Sequence, residues 1–157
     1  MPRAVKPKVQ QAPKLSLAVQ FATEDLRVPS RSQLRRWICA ALERDATITL
    51  RIVGAKEGRE LNRTYRNKDY ATNVLTFVYD QSLSGVLFGD IVLCASVVAK
   101  EANQQRKELK AHYTHLVIHG SLHLQGYDHE TNADAKIMER REVALLARMR
   151  IANPYSA

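Results

Sequence analysis

The stretch HGSLHLQGYDH, residues 119–129, constrains the fold of this chain more than any other segment. His119 and His123 are four residues apart, so on an α-helix both side chains lie on the same face. Gly126 follows and permits a sharp turn after that helix. The turn can bring His129 back to the same point in space. The spacing therefore predicts three imidazoles around one metal ion, with a fourth coordination position left open.

The same spacing matches the zinc-peptidase pattern H-E-x-x-H-x-x-G-x-x-H at every position but one. Gly120 stands where the pattern has its catalytic glutamate. Structural zinc sites usually have four protein ligands, often cysteine, and neither Cys39 nor Cys94 is near this segment. We expect both cysteines to be buried, reduced thiols. The pattern thus favours a catalytic zinc site, although imidazole also binds nickel and copper.

Bound zinc lowers the pKa of its water to about 7, which makes a metal hydroxide available at neutral pH. A site of this kind therefore does not strictly require the missing glutamate.

Three further polar residues lie close to the predicted ligands. His115 is one turn before His119 on the same helix face, and it could support a ligand, act on the substrate or pack in the core. Asp128 could orient a ligand imidazole or serve as a turn residue before the last helix. We expect His112 to lie at the surface.

Hydrophobic patterns divide the chain into alternating strands and helices. Strands are predicted at 15–21, 46–53, 73–80 and 86–94, and helices at about 31–43, 56–65, 97–110, 111–125 and 132–150. We expect little break between the third and fourth helices. This order predicts an α+β fold, with one small mixed sheet of about four strands covered by helices. The metal site falls on a helix in the C-terminal half, as in metalloproteases.

Local signals refine these elements. Ser30 and Thr131 are predicted N-caps of the first and last helices. Gly89 interrupts the fourth strand and indicates a bulge or a close approach to the backbone. The inward positions of the first strand are predicted at Leu15, Leu17, Val19 and Phe21.

The charge of the chain indicates its class of partner, and its length indicates its domain organisation. The 157 residues carry a net charge of +8, and such a balance favours polyanions such as nucleic acid. Residues 1–14 hold four cations and no acid, and we predict a disordered basic tail there. Residues 15–152 are predicted to form one catalytic metallohydrolase domain. No apolar run approaches membrane-spanning length, so we expect a cytoplasmic protein.

Three segments, in the same order, resemble the YbeY family of bacterial rRNA-maturation endoribonucleases. HLVIHGSLHLQGYDH (115–129) is similar to the family signature. LNRTYRNKDYATNVLTF (61–77) resembles L-N-x-x-Y-R-x-K-D-x-x-T-[ND]-V-L-S-F, and LFGDIVLC (87–94) resembles L-G-D-I-x-I-C. The likeness covers about residues 45–150. The departures are Thr76 in place of serine, Phe88 before the glycine, and a longer basic N-terminus.

The resemblance implies one zinc ion per chain, held by His119, His123 and His129. It also implies that Arg66 is the basic residue of the site, so that Arg66 and His119 are the predicted catalytic residues. Lys68 could contribute to the same role or face water. The implied substrate is single-stranded RNA, with 16S rRNA 3′-end maturation and 70S ribosome quality control as the cellular role. Implied partners are the small ribosomal subunit, ribosomal proteins and a ribosome-associated GTPase.

Two other functions stay open from the residues alone. A metallopeptidase-like hydrolase could recruit its base from elsewhere, such as Glu130 or Asp90, although Gly120 argues against a peptidase. A non-enzymatic ribosome-binding protein could use zinc only for stability. The basic tail is compatible with that function, whereas the open coordination position argues against it.

Overall fold

A computed structural model describes residues 11–81 and 85–156. Within them the chain forms four strands and five helices, which confirms the predicted α+β class. Their bounds are β1 Leu15–Ala22, α1 Arg31–Ala41, β2 Ala46–Val53, α2 Ala55–Arg66, β3 Val74–Gln81, β4 Leu87–Cys94, α3 Ala95–Gln104, α4 Leu109–Leu124 and α5 Asn132–Arg148. Most of the predicted basic tail, residues 1–10, lies outside the described residues. Across the part that is described, no helix is long and apolar enough to cross a membrane.

The four strands form one mixed sheet in the order β1-β2-β4-β3. β1, β2 and β4 are parallel, whereas β3 runs antiparallel to β4 and lies at an edge. The backbone N–H of Cys94 donates to the carbonyl of Asn73 at 3.0 Å, so these residues form a hydrogen-bonded pair. Because such pairs alternate along a ladder, Val74 and Thr76 direct their backbone groups away from β4. The edge of β3 therefore offers backbone groups to neighbouring side chains.

The two faces of the sheet are covered unequally. On one face, α1 and α4 pack against the apolar residues of β1, β2 and β4, in a core that includes Trp37, Ile48 and Val117. α5 packs outside this layer, where Met138, Leu145 and Leu146 meet apolar residues of α4. On the opposite face α2 covers a smaller cluster around Val53, Leu75, Val92 and Cys94. α4, the helix with the histidines, is thus held between the sheet and α5.

Both predicted N-caps are confirmed. The Ser30 hydroxyl accepts from the Gln33 N–H, and the Gln33 side chain accepts from the Ser30 N–H at 2.9 Å, which completes a capping box. The Thr131 hydroxyl accepts from the Asp134 N–H at 3.0 Å. These bonds satisfy N–H groups that have no partner inside the helix and so define where α1 and α5 begin.

The break between α3 and α4 is larger than predicted. α3 ends at Gln104, and Arg106 adopts a left-handed backbone conformation with φ of 54°. The N–H of Lys107 then donates to the carbonyl of Ala102 at 2.9 Å, the bond of a Schellman motif. The sequence pattern missed this end because the left-handed position is usually glycine, and here it is arginine.

Three burial predictions were wrong. Phe21 is 49% exposed, because α1 contacts the first half of β1 and its Arg31 and Arg35 donate to carbonyls there. Cys39 is exposed on the outer side of α1, whereas Cys94 is buried as expected. His112 is 4% exposed rather than at the surface, since its Nε2 pairs with the Glu101 carboxylate at 3.0 Å.

Gly89 lies where the sheet and α4 approach closely. This is one of the two alternatives predicted for this glycine, the other being a bulge. A Cβ atom at this position would lie 2.9 Å from the Leu124 side chain and 2.9 Å from the Phe77 carbonyl oxygen. The leucine can move, but the backbone carbonyl of β3 cannot move without disturbing the ladder. The missing side chain therefore allows α4 to lie close to β4.

We expect Gly89→Ala to lower the free energy of unfolding by about 1 to 3 kcal/mol, the usual cost of overpacking a core. Denaturant unfolding with unchanged m-value would measure it. Gly54→Ser is the control, because nothing lies within 4 Å of a Cβ at that position. If both variants unfold at the parental denaturant concentration, the packing at Gly89 is not tight.

Candidate functional site

The structure brings the three predicted ligands together. His119 and His123 project from the same face of α4, and the turn at Gly126, with φ of 100°, returns the chain so that His129 joins them. The ring centroids are 6.3 Å apart for His119 and His123, and 5.7 and 5.8 Å from each of them to His129. A zinc ion lies about 3 Å from the centroid of each ligand ring, so three ligand rings are separated by roughly 5 to 6 Å. The two separations to His129 lie in this range, and the separation of His119 from His123 is slightly longer.

Hydrogen bonds at Nδ1 leave the Nε2 atom free on two of these rings. His119 Nδ1 is 2.5 Å from Glu142 Oε1, and a carboxylate only accepts, so the proton is on Nδ1. His123 Nδ1 donates to the carbonyl of Tyr127 at 3.0 Å. In both rings Nε2 therefore keeps its lone pair for a metal. Burial lowers the pKa of His123, which favours the neutral form that a ligand requires.

Glu142, on α5, organises the back of this cluster, and the sequence reasoning missed it. Its side chain is 0% exposed and accepts hydrogen bonds from His115 at 3.0 Å, from His119 and from the Tyr155 hydroxyl. Burial by itself raises the pKa of Glu142, but the bonds from the two histidines and Tyr155 outweigh it and bring the pKa to about 2. The missed signal is an acidic residue on the apolar stripe of α5, between Met138 and Leu145.

His115, His119 and Glu142 also form a group that could hold a metal ion, since their ligand atoms all lie within 4.8 Å of one another. The contacts inside this group have hydrogen-bond lengths. Two ligand atoms that share a tetrahedral zinc ion at 2.0–2.2 Å lie about 3.3 Å apart, well beyond the 2.5 Å between His119 and Glu142. The geometry therefore favours Glu142 as the group that orients His119, with the ion on the other side of that ring.

The three histidines open into a cavity of about 340 Å³ beside the edge of β3. Its other walls come from the C-terminal end of α2, the segment that follows it and the strand itself. They include Asn62, Arg66, Lys68, Tyr70, Thr72, Val74, Leu75 and Thr76. The cavity thus combines a metal-binding wall with a cationic wall, and its volume suits a small ligand or one unit of a polymer.

Arg66 is the last residue of α2, and the edge strand holds it in place. Its Nη2 donates to the outward carbonyl of Thr76 at 2.8 Å, and its Cζ lies 5.5 Å from the centroid of the Phe77 ring. Asn67, with φ of 57°, ends the helix and turns the chain so that Lys68 also lines the cavity. The other guanidinium N–H groups remain able to bind an anion in a planar fork.

The two weaker candidates have different surroundings. His115 lies edge-on to Tyr155, with ring centroids 5.5 Å apart. It is hydrogen-bonded to Glu142, which in turn is hydrogen-bonded to His119. Asp128 accepts from the backbone N–H of His129 at 2.6 Å, the local bond of a turn residue. The roles of these residues stay predictions.

Glycine at position 120 has a structural explanation. A Cβ atom there would lie 3.4 to 3.5 Å from side-chain methyl groups of Thr76, Ile91 and Val74. A longer side chain would have to enter this packed layer between α4 and the sheet. Asp90 is on the opposite face of β4 from α4 and accepts a 2.5 Å bond from the Tyr79 hydroxyl. It is therefore on the wrong side of the sheet to act as a base beside the histidines.

We expect Glu142→Gln to weaken metal binding by about 10-fold to 100-fold. A neutral amide orients the His119 ring less firmly than the carboxylate does, and it raises the basicity of the ligand nitrogen less. Competition with a zinc chelator would measure this affinity. Glu139→Gln, one turn earlier on α5, is the matched control and should bind metal as the parent does. Parental affinity in a folded Glu142→Gln protein would show that Glu142 does not support the metal site.

Comparisons with known proteins show which family the chain resembles. A sequence model described as Endoribonuclease YbeY matches residues 18–150. Endoribonuclease YbeY from Thiobacillus denitrificans is 57% identical over 144 residues, covering 92% of this chain and 98% of the relative. The protein of the same name from Nitrosomonas eutropha is 52% identical, covering 88% and 97%.

A structural comparison supports the fold alone. The solution structure of a Thermotoga maritima protein matches with a TM-score of 0.52 and 22% identity, over 90% of this chain and 99% of that chain. With a family match across most of its length and relatives more than half identical to it, the chain belongs to the YbeY family of endoribonucleases.

Proposed function

We propose that this protein is a zinc-dependent endoribonuclease that cuts single-stranded RNA. We also propose that residues 15–152 form its single catalytic domain. The observation that supports it is one cavity in which three histidines face Arg66 and Lys68. Imidazoles with free Nε2 atoms suit a zinc ion, and the cations suit a phosphate beside it. A phosphodiester presents oxygen atoms to both the metal and the cations.

The residues of the cavity divide the chemistry between them. Zinc, when bound, would act as a Lewis acid and lower the pKa of a water molecule. His119, His123 and His129 would hold the ion, and Glu142 and the Tyr127 carbonyl would keep two of the rings in the required orientation. Arg66 would bind the non-bridging phosphate oxygens as negative charge increases on them. Lys68 would add to the positive potential of the same wall.

The cellular role that we propose is 16S rRNA 3′-end maturation and 70S ribosome quality control. The names of the relatives and the net charge of +8 support an RNA substrate. Partners of the proposed function are the small ribosomal subunit, ribosomal proteins and a ribosome-associated GTPase. The basic tail, residues 1–14, would contribute to RNA binding through charge alone.

The packing around Gly120 and the position of Asp90 both argue against the metallopeptidase alternative. Glu130 is exposed and adjacent to His129, so it is the remaining acidic candidate from the sequence reasoning. A non-enzymatic role for zinc is disfavoured because the three rings face an open cavity, whereas structural zinc sites are closed by a fourth protein ligand.

Protein purified without a histidine tag would be assayed for metal and incubated with a 16S rRNA 3′ precursor, a duplex of the same sequence and casein. We expect about one zinc per chain, cleavage of the single-stranded precursor, and intact duplex and casein. Cleavage of casein would favour the peptidase. Zinc-loaded protein that binds the precursor without cutting it would favour the non-enzymatic function, and full RNA cleavage by metal-free protein would exclude a zinc enzyme.

A further inference from the structure

Four aromatic side chains lie together on the α2 side of β3 and β4, outside the cavity. We call them the aromatic platform: Tyr65 of α2, Phe77 and Tyr79 of β3, and Phe88 of β4. Tyr65 is 62% exposed, Tyr79 55% and Phe88 39%. So much exposed aromatic surface on adjacent elements is unusual for a face that contacts only water, because it forgoes the free energy of burial. The platform therefore has the character of a binding surface.

Contacts orient three of the four rings. The Tyr65 and Phe77 rings meet edge to face, with centroids 5.2 Å apart. The Tyr79 hydroxyl donates to Asp90 at 2.5 Å, and this bond, followed by burial, raises the pKa of Tyr79 to about 12, with a smaller contribution from Tyr65 nearby. The β3–β4 ladder shifts register between Val78 and Gln81, the stretch of β3 that lies beside Phe88. Preorganised rings lose little conformational entropy when a flat ligand stacks on them.

The platform is continuous with the candidate active site. Arg66 belongs to both, since it lines the cavity and its guanidinium lies over the Phe77 ring. Lys68 adds positive charge on the cavity wall that it shares with Arg66. Tyr70, 55% exposed, adds a further ring beside the cavity. Rings and cations therefore follow one path that leads away from the histidines.

We propose that the aromatic platform stacks bases of single-stranded RNA that flank the phosphate bound in the cavity. The inference rests on the proposed endoribonuclease function and extends it to the part of the RNA that is not cut. Proteins that bind single strands combine cations along the backbone with aromatic rings under successive bases, and that is the combination found here. Bases in a duplex are already stacked on each other, so the platform also explains a preference for single strands.

The test compares RNA binding by variants of the full-length, zinc-loaded protein. Fluorescence anisotropy with a labelled single-stranded RNA gives the affinity, and a gel confirms that the RNA is intact during the measurement. The variants are Tyr65→Leu and Tyr79→Leu. The control is Phe21→Leu, which removes a ring of similar exposure, 49%, from β1 at the other edge of the sheet.

We expect Tyr65→Leu and Tyr79→Leu each to bind about 5-fold to 150-fold more weakly, the loss of one base–aromatic stack. The weaker binding should raise KM more than it lowers kcat. Phe21→Leu should match the parent, and Tyr65→Trp should retain most of the affinity. Abasic RNA isolates the contribution of stacking. An RNA without the flanking bases should bind weakly to the parent, and it should bind to Tyr65→Leu with the same weak affinity.

Two results would overturn the platform: affinity of both tyrosine variants equal to that of Phe21→Leu, or the same loss on intact and on abasic RNA. The second result would mean that the rings serve the fold or a protein partner. Failure of the proposed function looks different. In that case the parent would bind RNA in a ring-dependent manner but would not cut it.

Discussion

Replacing His123 with alanine is expected to remove zinc and to lower RNA cleavage by more than about 100-fold. Loss of a residue that only supports a ligand costs metal affinity by up to that factor, and His123 offers its own Nε2 to the ion. The two remaining histidines cannot complete a three-ligand site. Zinc per chain, measured by elemental analysis, and cleavage of a single-stranded RNA would check the prediction.

The fold must be followed in the same experiment, because metal affinity can be part of folding free energy. Circular dichroism would show whether α4 persists. His112→Gln is the matched control, since it lies on the same helix, and glutamine can still donate to Glu101. This control should keep zinc and activity. A folded His123→Ala protein with normal zinc content would remove His123 from the ligand set, and the group of His115, His119 and Glu142 would become the better site.

Arg66→Ala is expected to keep zinc and fold but to cut RNA about 100-fold more slowly, which is the usual effect of removing one donor to developing negative charge. The side chain is exposed and contacts the Thr76 carbonyl and the Phe77 ring, so its loss should cost little stability. Single-turnover cleavage with saturating enzyme would separate the rate of the chemical step from RNA binding.

Arg66→Lys should recover only part of the rate, because an ammonium group lacks the planar fork that binds two phosphate oxygens at once. Arg59→Ala is the matched control. Arg59 is on the same helix, but it forms a bidentate ion pair with Asp69 at 2.8 and 2.9 Å instead of lining the cavity. Cleavage by Arg66→Ala at the rate of Arg59→Ala would contradict the assignment of Arg66 to the phosphate.

Elements with a local cause could be predicted from the sequence. The strands β1 and β2 follow from apolar alternation, and Ser30 and Thr131 define the starts of two helices through bonds to residues three positions away. Where the local signal was weak, the prediction was wrong. Arg106 ends α3 in a conformation that its side chain does not favour, and Phe21 is exposed because of where α1 packs.

The sequence by itself determined the cluster of His119, His123 and His129, because helix periodicity and one turn bring together residues that span only 11 positions. Only the tertiary structure decided what surrounds them. The strand order puts β3 at the edge, the end of α2 places Arg66 beside it, and α5 brings Glu142 to His119 from 23 residues away. The aromatic platform likewise exists only where α2, β3 and β4 meet. These contacts depend on the packing of elements that are distant in the chain, and no local periodicity records that packing.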